Sequence, residues 1–163
     1  MNILHVLSGD LVTGSETSTA ALIRRQTAQG HRVFIAAGSF QQKVDARFIP
    51  VPIYRRSLFS RLMNIVALRG IVRRERIDLI HAHSRAASWV AHWACRLTHT
   101  AYLSTLHGRQ HLHFSSRRSR IYGPRAIAVC EDIRDQMMTQ TRAFEEGKLE
   151  VIRNGIEIPR SRS

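Results

Sequence analysis

The sequence predicts an α/β fold built on a doubly wound parallel sheet, in one domain. Three observations carry this. Short apolar stretches alternate with amphipathic ones of roughly 10 to 18 residues, the rhythm of βαβ units. Two of the apolar runs pass straight into histidine: Ile77-Asp78-Leu79-Ile80-His81-Ala82-His83-Ser84-Arg85 and Ala101-Tyr102-Leu103-Ser104-Thr105-Leu106-His107-Gly108. Such near-continuous runs mark strands covered on both faces, and ligands of open α/β sheets bind beyond the carboxyl ends of those strands. Finally, 163 residues with 44% hydrophobic content suffice for a single core.

The elements follow in order. Residues 2–8 predict a first strand, and residues 9–15 a loop. A helix then covers about 16–29, with Gly30 as its C′ stop. A second strand spans 32–37. Residues 48–53, broken by Pro50 and Pro52, make at most a short edge strand. Apolar residues at 58, 62, 65, 66 and 72, and at 59 and 63, predict a helix over 57–74. A strand at 77–82, a buried helix at 85–97 and a strand at 101–106 come next. Residues 107–122 predict a mobile polar segment. A strand at 126–129, a helix at 131–139 and a last strand at 149–152 complete the series.

Composition narrows the setting. No run of about 20 apolar residues is present, so no stretch of this sequence spans a bilayer. The start enters a strand pattern with neither a basic n-region nor a cleavage site, unlike a signal peptide. Cys95 and Cys130 are the only cysteines, which predicts a reduced, cytosolic protein. The net charge of +13 comes almost wholly from arginine, since Lys43 and Lys148 are the only lysines. That balance favours anionic surroundings, or reflects solvated arginines alone.

Four groups of residues could carry chemistry. Gly14 and Ser15, in Thr13-Gly14-Ser15-Glu16, combine a glycine with a helix start, a ready anion site. The alternative is a tight turn. The loop lacks the G-x-G-x-x-G spacing of a dinucleotide site, because position 11 is leucine. His81 and His83 lie two apart and share a strand face, while His107, His111 and His113 cluster after the next strand. No cysteine or carboxylate stands at a motif spacing among them, and the one acidic neighbour is Asp78 at the buried end of its strand. Hydrogen bonding to sugar hydroxyls or developing charge therefore suits them better than metal binding. His81 reads as a packed strand-end histidine, and His107, exposed before a flexible Gly108, as functional. The segment 55–76 sets arginines beside an apolar stripe, so Arg55, Arg56, Phe59, Arg61 and Met63 could face an anionic membrane; the alternative is a core-facing helix with a solvated basic face. The fourth group, Arg117-Arg118-Ser119-Arg120, could contact phosphate or lie on a loop. Nucleophile elbows, P-loops and zinc-finger spacings are absent.

Taken together, these residues resemble the N-terminal half of family-4 glycosyltransferases of the GT-B type. The resemblance rests on seven ordered segments. They are Asn2-Ile3-Leu4-His5-Val6-Leu7, Thr13-Gly14-Ser15-Glu16, Gln29-Gly30-His31-Arg32-Val33, the run Ile77 to His83, Ser104-Thr105-Leu106-His107-Gly108, Ala126-Ile127-Ala128-Val129-Cys130-Glu131 and Val151-Ile152-Arg153-Asn154-Gly155-Ile156-Glu157. It implies a Rossmann-like domain over 1–158, a frayed tail or linker start at 159–163, and a C-terminal donor domain lying outside this sequence, in cis or in trans. It further implies retaining transfer from a nucleotide-sugar donor to a glycan or glycolipid acceptor, of lipopolysaccharide or cell-envelope type. The setting would be cytoplasmic and peripheral to the membrane.

By resemblance, Gly14 and Ser15 would meet the donor diphosphate and His107 the donor sugar. His83, Ser84, Arg85 and Gly108 would line the acceptor side. Front-face transfer needs no protein nucleophile, no metal and no further cofactor, and Thr13 stands where the family has the first glycine of its pair. The rival class is a non-enzymatic module whose basic face binds anionic lipid or nucleic acid. Its basic stretches lack interleaved aromatics, which speaks against nucleic acid.

Overall fold

A computed structural model describes residues 1–9, 14–55, 57–110, 120–141, 144–145 and 147–155. Seven strands form one sheet, every neighbouring pair parallel, in the order β3-β2-β1-β4-β5-β6-β7. They are β1 (Asn2–Val6), β2 (Arg32–Ala37), β3 (Arg47–Pro50), β4 (Leu79–Ala82), β5 (Ala101–Leu106), β6 (Ala126–Ala128) and β7 (Leu149–Val151). The helices are α1 (Gly14–Ala28), α2 (Leu58–Arg74), α3 (Arg85–Thr98) and α4 (Glu131–Gln140). The winding reverses between β1 and β4, which creates the switch-point crevice of a doubly wound sheet.

Alternation along each strand divides the core. Val33, Ile35 and Ala37 of β2 pack with Ile23 of α1, whereas Phe34 and Ala36 pack with Leu68 of α2 and Val90 of α3. The two clusters therefore occupy opposite faces. Leu4, Val6, Ile80 and Ala82 join the second cluster, so His5 and His81 must point to the α1 face. His83 and His107, just beyond β4 and β5, continue that parity.

Local chemistry explains the element ends. Ser57 caps α2 by accepting from the Ser60 N–H at 3.2 Å, and Ser84 caps α3 by accepting from Ala87 N–H at 3.1 Å. Gly30, at φ 83°, ends α1, and the His31 N–H closes back onto the Gln26 carbonyl at 3.1 Å. β3 tolerates Pro50 because it is an edge strand. Gly9, at φ 65°, lies so close to Ser39 that a Cβ would collide with that residue's backbone. Gly9→Ala is expected to cost about 1–3 kcal/mol, read as a lower urea midpoint at unchanged slope.

Several expectations need correction. β1 ends at Val6, and α1 begins at Gly14, so Gly14 and Ser15 belong to the first helical turn rather than to the loop. Asp78 is exposed, and its carboxylate accepts from the Asn2 N–H at 2.7 Å. α3 is buried on one face only: Ala87, Val90, Ala91 and Ala94 face the core, while Trp93 and Leu97 stay exposed.

The segment expected to be polar and mobile holds two core residues, Ile121 and the fully buried Tyr122. They pack with Leu106, Ala128, Ile133 and Met137. The Tyr102 hydroxyl donates to the Ile121 carbonyl at 2.7 Å, and the Ser104 hydroxyl donates to the Tyr122 carbonyl at 2.6 Å. Residues 111–119, with His111, His113 and Arg117-Arg118-Ser119, lie outside the described residues. So do Thr13, Arg56 and the expected tail at 159–163.

Candidate functional site

The parity of the strands gathers four histidines on one face of the sheet. His5 stands on β1 beside His81 of β4, its register partner, and His83 and His107 follow β4 and β5. The rings of His81 and His83 are 4.2 Å apart by centroid, those of His5 and His83 5.1 Å, and those of His83 and His107 5.5 Å. A groove of about 470 Å³ runs over this floor. Ser18, Thr19 and Leu22 of α1 form one side, Ile152, Arg153, Asn154 and Gly155 the other, and His81, His83, Thr105, His107 and Ile127 the bottom.

The histidines are wired to one another. His5 Nε2 is 2.8 Å from Gln26 Oε1, and His5 Nδ1 is 2.8 Å from His83 Nε2. His83 Nδ1 in turn lies 3.2 Å from His107 Nε2. His107 Nδ1 is buried and has no partner among the described residues. His81 stands aside, its Nε2 2.7 Å from the Thr105 hydroxyl. Burial disfavours the charged imidazolium, so His5 and His107 are lowered to a pKa of about 4. His81 and His83 are held well below 6.5 for the same reason, with neighbouring histidines adding to it. All four rings are neutral at pH 7.

His5, His81 and His83 also bring one ring nitrogen each within 4.8 Å of one another, a spacing that could hold a cation. The donor set fits hydrogen bonding better. His5 and His83 share a proton at 2.8 Å, and His81 is engaged by Thr105, so these ring nitrogens already have partners.

The other expected site residues disperse around this centre. Gly14 is exposed at the head of α1, with nothing among the described residues within 4 Å of where a Cβ would stand. Ser15 is half-buried, and its carbonyl accepts from the Thr19 hydroxyl at 2.7 Å. Ser84 caps α3 and shares a 2.7 Å hydrogen bond with the Ser8 hydroxyl, tying the ends of β1 and β4 together. Arg85 opens α3, half-buried, close enough to Tyr122 to act on it electrostatically. Gly108 is exposed, and its carbonyl accepts from the side-chain amide Nε2 of Gln110 at 2.7 Å. His107, expected to be exposed, is half-buried instead, packed against His83 on one side and lining the groove on the other.

Gln110 stiffens the chain after His107. Its N–H donates to Gln136 Oε1 and its carbonyl accepts from Gln136 Nε2, both at 2.9 Å. Its own Oε1 accepts from the Tyr122 hydroxyl at 3.1 Å. On the outer face of α2, Phe59 and Met63 are 75% and 53% exposed, and Arg55 is exposed. Arg61 turns inward instead, its guanidinium 5.1 Å from the Trp89 ring centre, a cation–π contact. No helix among the described residues is long and apolar enough to cross a membrane.

Sequence reasoning missed His5, Gln26 and Thr105 as members of this cluster. A signal existed for His5: a lone polar residue inside the apolar run Ile3-Leu4-His5-Val6-Leu7, two strands' parity from His81. Gln26 lies three residues beyond Ile23 on the inward side of α1, but nothing local sets it against a histidine.

The sequence profile of Glycosyltransferase Family 4 matches residues 12–160. The chain belongs to Glycosyltransferase Family 4. Solved structures share the fold. A glycosyltransferase from Rickettsia africae ESF-5 is 25% identical with a TM-score of 0.82, over 96% of this chain and 43% of that one. HepE of Anabaena, in complex with UDP and glucose, is 15% identical with a TM-score of 0.76, over 96% and 45%. The lipopolysaccharide outer core galactosyltransferase WaaB is 13% identical with a TM-score of 0.73, over 97% and 47%. The family-4 chain thus spans less than half the length of these structures. Among curated proteins no significant match was found.

Proposed function

We propose that this chain is the acceptor-side half of a retaining glycosyltransferase, which moves a sugar from a nucleotide-sugar donor to a hydroxyl of a cell-envelope glycan or glycolipid. The observation that carries the reading is the histidine-floored groove at the switch-point side of a family-4 sheet. The three imidazoles that line the groove, His81, His83 and His107, are neutral and suit hydroxyl groups, which both donate and accept. Neither nucleophile nor metal is needed for a front-face displacement, in which positioning and charge stabilisation lower the barrier. His107 is assigned to the donor sugar, and Gly14 and Ser15 to the diphosphate at the head of α1, where free N–H groups favour anions. His83, Ser84, Arg85 and Gly108 are assigned to the acceptor. HepE with UDP and glucose supports a nucleotide-linked donor, and WaaB supports a lipopolysaccharide-type acceptor.

Such a transfer takes place between two walls, and this chain supplies one. The 163-residue chain alone is therefore expected to turn over no nucleotide sugar, whereas the chain joined to a family-4 donor domain transfers. Robust turnover by the chain alone would overturn the two-walled reading, and a folded joined enzyme inert toward UDP-, GDP- and ADP-linked sugars would overturn the transferase reading. Gly14 offers a sharper probe. A methyl group there meets none of the described residues, so Gly14→Ala should leave the melting temperature unchanged and weaken donor binding by about tenfold or more. Unchanged donor affinity removes Gly14 from the site.

The acceptor reading extends to an anionic membrane surface. Leu58, Phe59, Leu62, Met63 and Val66 are each more than half exposed on α2, one stripe at helical spacing. Arginine richness gives the chain its net charge of +13, which attracts anionic headgroups. In a flotation assay the chain should rise with anionic vesicles and not with neutral ones. Phe59→Glu with Met63→Glu should abolish the effect. Equal flotation with both vesicle types, or none, would sink the idea.

A further inference from the structure

We propose that His5 and His83 are positioning residues that fix the proton of His107, so that His107 meets its ligand as a hydrogen-bond acceptor through Nδ1, and that this ligand group is a hydroxyl. The identity of the ligand rests on the transferase reading above; the tautomer does not.

Direction decides the matter. Gln26 Oε1 only accepts, so His5 Nε2 at 2.8 Å carries a proton. A neutral imidazole has one N–H, which leaves His5 Nδ1 as an acceptor. His83 Nε2, 2.8 Å away, must then be the donor. His83 Nδ1 is in turn the acceptor for His107 Nε2 at 3.2 Å. The single proton of His107 is thereby committed, and its Nδ1 is a bare lone pair. That atom is buried, unpartnered among the described residues, on a ring that lines the groove. Burial keeps the three rings neutral, so no second proton relaxes the chain at pH 7.

A buried lone pair without a donor is costly. A hydroxyl removes that cost. A carbonyl, carboxylate or phosphate oxygen offers only another lone pair and is repelled. The groove therefore selects a sugar hydroxyl at His107 and sends anionic groups elsewhere. Gln26 is the setting of the relay: an amide nitrogen in place of its oxygen would reverse every bond and turn His107 Nδ1 into a donor.

The test is ring-nitrogen NMR on the histidine-labelled chain at neutral pH, with no sugar present. His5, His83 and His107 should each show Nε2 protonated and Nδ1 bare, by about ten to one or more. Gln26→Glu, which only accepts, should keep that pattern, while Gln26→Leu should mix the tautomers of His5. A His107 protonated at Nδ1, or a tautomer mixture in the unaltered chain, overturns the proposal. So does an unchanged pattern in Gln26→Leu. Because the readout needs no transfer, its failure leaves the transferase reading standing, and failed transfer leaves the tautomer untouched.

Discussion

His107→Ala in the chain joined to a family-4 donor domain is expected to lower kcat by about a hundred-fold or more, the scale of losing one preorganised polar group at a reacting centre. The fold should survive. Only the 3.2 Å bond to His83 is lost with the ring, and an orphaned imidazole nitrogen costs about 1–3 kcal/mol, less than most domains can spare. The groove floor otherwise stays intact, because His81 is held by Thr105 and His5 by Gln26. The expected pattern is therefore a collapse in kcat at a nearly unchanged circular-dichroism spectrum. His107→Gln, which keeps an acceptor of similar reach, should recover part of the rate. Full activity in His107→Ala removes this residue from the reacting centre.

The sheet was legible because its strands are short, apolar and separated by turn chemistry. Even β3 was readable, since Pro50 and Pro52 allow only an edge. Boundaries drifted by one to three residues, as at β3, which ends at Pro50 rather than at 53, and at β4, where Ile77 and Asp78 precede the ladder. Ile121 and Tyr122 were misjudged for a different reason. They sit among Arg120, Gly123 and Pro124, and their burial comes from Leu106, Ile133 and Met137, which no local window contains. The site was half legible. His83 and His107 announce themselves at strand ends and meet directly, but the chain that orients them continues from His83 to His5 and on to Gln26, steps of 78 and 21 residues in sequence. Asp78 shows the opposite error: its place at a strand end suggested burial, whereas the lower end of β4 opens to solvent and the carboxylate caps the Asn2 N–H. Family membership adds a context that geometry alone lacks, because neutral histidines in a groove serve many chemistries.

The same cluster should make the chain acid-labile in a definable window. In the unfolded chain these histidines titrate near 6.5, while in the folded protein burial lowers His5 and His107 to about 4 and His81 and His83 well below 6.5. Between those values the unfolded state binds more protons than the folded one, so stability rises with pH. The contribution is therefore fully present above pH 6.5 and is lost as the pH falls from 6.5 toward 4. For the fully buried His5 alone, the depression corresponds to about 3 kcal/mol. His107 is partly open to solvent and contributes less, and the shared hydrogen bonds prevent simple addition of the others. Glu75 and Glu131 are held below 4.5 by arginine and hydrogen-bond partners, so their loss belongs to a lower window. Urea unfolding at a series of pH values should show stability falling by more than about 1.4 kcal/mol per pH unit below 6.5, the slope of one proton. In His5→Gln, which keeps a polar side chain but cannot titrate, that slope should shrink by up to one proton. A flat stability profile between pH 6.5 and 5 would mean that the imidazoles already carry charge in the folded protein, and the neutral relay through His83 to His107 would fall with it.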